Sequence, residues 1–179
     1  MSKPKPKTPI VKSVGAKTAG AKALAEGDLA PAFDLPTAGG GRVSLASLKG
    51  KRVVLYFYPK DDTPGCTTEA LNFTEKARSF AGANGVIVGV SKDSPAKHDK
   101  FAAKYGLEVQ LASDEDGAVC ERYGVWVEKA LYGRKYMGIE RATFLIDSKG
   151  KIASVWRKVK VAGHAEEVLE AVKTLTSKA

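Results

Sequence analysis

A chain of 179 residues, 44% of them hydrophobic, has room for one domain with a sizeable core, and two cysteines are too few for a disulfide scaffold. No run approaches the roughly 18 apolar residues of a membrane span, and the N-terminus lacks the apolar stretch of a secretion signal, so a cytoplasmic protein without a membrane partner is expected. The net charge of +9 is unevenly spread: six lysines against Glu26 give residues 1–26 a net of +5.

Residues 1–25, rich in Lys, Pro and Ala, carry too few large apolar groups to offset the entropy of ordering them. They read as a basic tail in front of a domain spanning 26–179, with Pro4, Pro6 and Pro9 biasing the start toward extended polyproline II. A lysine-rich arm can touch nucleic acid. This one has neither arginine nor interleaved aromatic residues, so no nucleic-acid partner is expected.

Beyond the tail, "FDLPTAGGGRVSL" reads as a small hairpin turning at Gly39–Gly41. "RVVLYFYP" is an apolar, β-rich run suited to a sheet covered on both faces. From Cys66 to about Ala83 the spacing of Ala70, Phe73, Ala77 and Phe80 predicts a helix. "GVIVGVSKD" is a second buried strand, and Pro95 opens a helix that runs to Gly106. "VQLASD" follows as a third strand, then a short helix around Gly117–Tyr123. "RATFLID-SKG-KIASVW" is a hairpin, and a last helix after Gly163 turns Val168, Leu169, Val172 and Leu175 inward. Strand–helix units ending in a hairpin and a helix predict an α/β sheet with helices on both faces.

The chemistry gathers at Cys66, where a strand ends at Pro59, a polar "KDDTPG" turn follows and a helix begins. Helix starts present unpaired N–H groups and favour negative charge, and such positions and nearby cations lower the pKa of a thiol. The placement suits a nucleophile; a buried structural thiol is the alternative. Cys66, Cys120, His98 and His164 show no zinc-type spacing. A C-x-x-C pair, a phosphate loop and a dinucleotide fingerprint are also missing, so neither cofactor nor metal is expected. Both histidines read as surface or capping residues.

"PKDDTPGC", as Pro59-x-x-x-Thr63-x-x-Cys66, resembles the peroxiredoxin active-site signature. With "YGVW", "GIERATFLID" and "GHAEEVLEAV", the stretch from about Glu26 to Leu175 is similar to the bacterioferritin comigratory protein, or PrxQ, subfamily. The resemblance implies a thioredoxin-like fold with a central mixed sheet flanked by helices. It also implies reduction of hydrogen peroxide and organic hydroperoxides by the Cys66 thiolate. In this scheme Thr63 places its hydroxyl beside thiolate and peroxide, and Pro59 shields the sulfur from water. Arg141 in "IERATF" matches the family's distant arginine, and Glu69, one turn after Cys66, is placed to orient it. Trp126 is either a pocket wall or core packing.

At one position the chain departs from the pattern. Many relatives of this subfamily carry a resolving cysteine five residues after the peroxidatic one; here that residue is Leu71. Others place it in the next helix, but Pro95–Tyr105 holds no cysteine. Cys120 is the only other thiol, so the sulfenic acid is resolved either by an external thiol, small or thioredoxin-like, or by Cys120. A monomer is expected. Two other classes stand beside the peroxidase: a non-catalytic holdase or scaffold, and a nucleic-acid-associated protein acting through its tail.

Overall fold

The computed structural model describes residues 23–177, with side chains to Leu175, so the predicted basic tail lies outside it except for its last three residues. Of those, Leu24 packs against the core and the Ala25 N–H donates to Asp28 Oδ2 at 2.9 Å. In chain order come β1 (Asp34–Pro36), β2 (Arg42–Ser44), β3 (Arg52–Phe57), α1 (Pro64–Glu75), α2 (Ala77–Gly82) and β4 (Gly85–Ser91). Then follow α3 (Pro95–Tyr105), β5 (Gln110–Ser113), α4 (Ala118–Arg122), β6 (Trp126–Leu131), β7 (Arg134–Ile139), β8 (Ala142–Ile146), β9 (Ile152–Trp156) and α5 (His164–Ser177).

The central sheet has the order β5-β4-β3-β8-β9. β3, β4 and β5 run parallel, while β8 and β9 are antiparallel to their neighbours. This mixed sheet, flanked by helices and preceded by the β1–β2 hairpin, matches the expected thioredoxin-like architecture. Because side chains alternate across a strand, β3 feeds two cores. Val53, Leu55 and Phe57 join one with Val119, Cys120, Tyr123 and Phe144. Val54, Tyr56 and Tyr58 join the other with Cys66, Phe73, Phe101 and Val168. Helices α1, α2, α3 and α5 thus cover one face, and α4 with the β1–β2 hairpin covers the opposite one.

The helical stretch expected from Cys66 to Ala83 is two helices. α1 begins at Pro64 with Thr63 as N-cap, and the chain breaks at Lys76, where φ is −100° and ψ 5°. The break still leaves Phe73 and Phe80 on the sheet with ring centroids 5.9 Å apart. α3 has its expected limits: Ser94 Oγ accepts from the Lys97 N–H, and Gly106 ends it at φ 62°. A third hairpin, β6–β7, was not expected. It turns through Tyr132 and Gly133, both left-handed with φ 49° and 76°, the primed-turn geometry that suits strand twist.

Both histidines are corrections, since neither is on the surface. His98 is 0% exposed, with Nε2 on the Ala112 carbonyl and Nδ1 on Asp61. His164 opens α5 but is buried, its Nε2 lying 2.7 Å from Thr143 Oγ1. Burial pushes its pKa down to about 4. Polar partners inside the core keep these rings from the solvent positions that their chemistry suggests.

Tyr56 pairs across the sheet with Gly89, and its ring lies over that glycine: an added Cβ would sit 2.6 Å from Tyr56 Cζ. Gly89→Ala is expected to lower the unfolding free energy by about 1–3 kcal/mol, measured by urea unfolding. Tyr56→Leu in the same chain should return part of that loss.

Candidate active site

Pro64 and Gly65 occupy the first two helical positions of α1, and Cys66 the third. Each suits its place. Proline has no N–H to leave unpaired at a helix start. At Gly65 a Cβ would stand 3.2 Å from Arg141 Nη2, so its absence leaves room for the guanidinium. Cys66 is 2% exposed and belongs to the core that also holds Tyr56, Tyr58 and Phe73.

Arg141 arrives from the residue before β8, 75 positions along the chain, because β8 pairs with β3. Its Nη2 donates to Cys66 Sγ at 3.3 Å, and its Nη1 donates to Glu69 Oε1 at 2.6 Å. Glu69 lies three residues after Cys66, on the same helical face, and is 1% exposed. Burial works against the Arg141 charge, but Glu69 and Cys66 outweigh it and hold the guanidinium above its usual value. The Glu69 carboxyl is pushed up to about 7 by burial, with Arg141 pulling it back. Its second oxygen, Oε2, has no hydrogen-bond partner, and neither does the buried hydroxyl of Tyr56. Burial, then Glu69 and Cys66, raise the Tyr56 phenol well above its ordinary range.

The other expected residues divide. Thr63 caps α1 through its carbonyl, which accepts from the Thr67 N–H at 2.9 Å. Its hydroxyl donates to the Lys60 carbonyl at 2.9 Å and not to the sulfur, leaving the oxygen lone pairs available. Pro59 is exposed on the turn that leaves β3. Trp126 packs on the opposite core with Lys92 Nζ 4.2 Å above its ring, so of its two readings the structure has core packing. Cys120 is 0% exposed in that opposite core. Its N–H donates to Asp114 Oδ2 at 2.8 Å, and burial together with Asp114 pushes the thiol far up. Both cysteines are free thiols.

Lys129 was missed by sequence reasoning. It sits half-buried on β6; burial and Arg141 lower its pKa while Cys66 and Glu140 pull the other way, which places it in the field of the site. Its strand was itself unexpected, so no signal pointed to it. Tyr56 was visible only as one more aromatic residue of a strand.

Glu69 carries a pH signature. Its folded pKa of about 7 lies above its ordinary 4.5, so the fold binds that proton more tightly than the unfolded chain does. The resulting stabilisation is complete below about pH 4.5 and is lost as pH rises through about 7. Glu69→Gln removes it. Urea unfolding should show the variant gaining on the parent chain between pH 4.5 and 8, by on the order of 3 kcal/mol.

Known proteins bear on this geometry. The AhpC/TSA family model matches residues 27–155. The chain is 48% identical to peroxiredoxin Bcp of Bacillus subtilis over 152 residues, covering 85% of this chain and 97% of the relative. To peroxiredoxin Bcp of Escherichia coli K12 it is 44% identical over 150 residues, 84% and 96% of the two chains. Among solved structures, PrxQ of Xylella fastidiosa superposes with a TM-score of 0.81 at 40% identity, over 86% of this chain and 98% of that one. The bacterioferritin comigratory protein of Xanthomonas campestris, whose alkyl peroxide reduction activity was studied in trapped intermediate and ligand complexes, gives a TM-score of 0.77 at 46% identity, over 80% and 92%.

Proposed function

The chain belongs to the AhpC/TSA family, among its Bcp and PrxQ peroxiredoxins, and from that premise we propose that Cys66 is the peroxidatic nucleophile of a thiol-dependent peroxidase acting on hydrogen peroxide and organic hydroperoxides. The observation that carries the assignment is the Arg141 guanidinium, 3.3 Å from Cys66 Sγ on one nitrogen and fixed by Glu69 on the other. A passive scaffold has no use for a half-buried guanidinium held against a thiol by a buried carboxylate.

The steps follow from the groups present. The Cys66 thiolate attacks one peroxide oxygen; a sulfur–oxygen bond forms, the oxygen–oxygen bond breaks, and the departing oxygen takes up a proton as water or alcohol. Negative charge moves from sulfur to that leaving oxygen, and Arg141 stands where it meets the charge throughout. Thr63 Oγ1, its own proton committed to Lys60, accepts from a peroxide O–H and turns the substrate for in-line attack. Pro59, exposed on the turn that leaves β3, has the role of shielding the sulfur from water. A preorganised donor of this kind is worth roughly 10²–10³ in rate.

Recycling falls to an external thiol. Leu71 stands at the position of the subfamily's resolving cysteine, while Cys120 lies in the core across the central sheet. The thiol donor attacks the sulfenic sulfur and expels water, and a second thiol releases Cys66 as thiolate. A monomer in a reducing cytoplasm, meeting a small thiol or a thioredoxin-like protein, fits this cycle. Among the described residues, no helix is long and apolar enough to cross a membrane.

Stopped-flow peroxide kinetics and intact-mass measurement test the scheme. Cys66→Ser should abolish peroxide reduction, and Arg141→Ala should slow the oxidation step by about 10²–10³. Cys120→Ser should turn over with dithiothreitol at the parent rate. A Cys66–Cys120 disulfide, with turnover lost in Cys120→Ser, would overturn the external-thiol cycle.

A further inference from the structure

Two consecutive aspartates stand in the turn that presents Cys66, and both are tied to α3, a helix that also sends Phe101 into the core that holds Cys66. Asp61 is the inner tie. Its carboxyl accepts from Tyr58 Oη at 2.6 Å through Oδ1, and Oδ2 lies 2.6 Å from His98 Nδ1. The Ala112 carbonyl faces Nε2 at 3.1 Å; a carbonyl only accepts, so Nε2 is a donor and Nδ1 is turned to the carboxyl. The Asp61 N–H donates to Asp93 Oδ2 at 2.8 Å, and Ser91 Oγ donates to that same oxygen at 2.7 Å. Side chain and backbone of this one turn residue are therefore both held by buried groups.

Asp62 is the outer tie. It is left-handed, with φ 59°, a region that aspartate enters more readily than most residues but that still needs support. The support comes from the last turn of α3: Tyr105 Oη donates to Oδ1 at 2.6 Å and Lys104 Nζ to Oδ2 at 2.8 Å. The lysine, then the tyrosine, hold the Asp62 carboxyl below its usual range. His98 and Tyr105 are seven residues apart, about 10 Å along a helix. Successive turn residues are thus fastened at two separated points, which fixes the turn's direction as well as its place. Thr63 is the next residue, and α1 starts after it.

We propose that α3 is a positioning element for the peroxide step: His98, Lys104 and Tyr105 clamp Asp61 and Asp62, and the clamp sets the angle at which Thr63 and Cys66 meet the peroxide. The proposal rests on the reading of Cys66 as the nucleophile. In-line displacement is sensitive to alignment, and a misplacement of about 1 Å can cost about 100-fold. Cys66 is 2% exposed while the turn is clamped. Loosening the clamp should therefore have two opposed effects: slower reaction with peroxide, and easier access for a reagent that needs no alignment by Thr63 and Arg141.

Tyr105→Phe is the most informative variant, since it removes the hydroxyl but keeps the ring that packs edge-on against Phe101, 5.6 Å between centroids. Asp62→Asn keeps a residue that tolerates the left-handed backbone. Each is made in a Cys120→Ser background, and two rates are read at Cys66: oxidation by hydrogen peroxide and alkylation by iodoacetamide. The expected result is oxidation slowed about tenfold and alkylation accelerated several-fold. His98→Gln should act in the same direction; if it fails to fold, the other two variants still decide. Unchanged rates with only a lower Tm, or two rates that fall in proportion, would overturn the clamp and leave α3 a structural helix. Peroxide reduction persisting in Cys66→Ser would instead overturn the underlying assignment of the nucleophile.

Discussion

Everything at the site is arranged around the guanidinium of Arg141. A half-buried cation is costly unless its donors are satisfied, and here one arm is met by Glu69 and the other by the sulfur. Three unrelated features serve that arrangement. Gly65 leaves the space; Glu69 lies on the same face of α1 as Cys66; and the pairing of β8 with β3 brings in residue 141. The Glu69 carboxyl bears the cost, held up at about 7 by burial with one oxygen unpartnered. Stability is given up at neutral pH to keep a cation beside a thiol.

The central sheet also separates the two thiols. Neighbouring residues of β3 face opposite cores, and the two cysteines lie on opposite sides. Cys120 is reached neither by a small rotation nor by a rotamer change, since the layer between the two sulfurs is the sheet itself. Leu71, on α1, is 40% exposed.

What could be read from the sequence follows the range of the forces involved. The runs "RVVLYF" and "GVIVGVS" announce β3 and β4 because burial on both faces demands continuous apolar residues. Pro95 and Gly106 announce both ends of α3 because helix-end preferences are local. The motif around Pro59, Thr63 and Cys66 singled out this thiol, and the resemblance it carries pointed to Arg141 and Glu69, which the structure places beside it. The β6–β7 hairpin stayed hidden: its turn is Tyr-Gly, where the usual signal is Asn-Gly or Asp-Gly, and its strands are only partly buried. His98 and His164 were misread because their partners, Asp61, Ala112 and Thr143, are distant in the chain and joined only by the fold. Lys129 and the unpartnered hydroxyl of Tyr56 depend on the same long-range assembly.

The 75-residue separation between Cys66 and Arg141 also imposes an order in time. Contacts between distant residues form late, after the loop between them has been closed. On the ribosome the delay is longer, because at about 5–20 residues per second the arginine is synthesised roughly 4–15 s after the cysteine. Throughout that interval Cys66 has its helix-forming neighbours but not its cation. The growing polypeptide thus carries an unassisted thiol, and its guanidinium partner arrives only when the antiparallel half of the sheet docks.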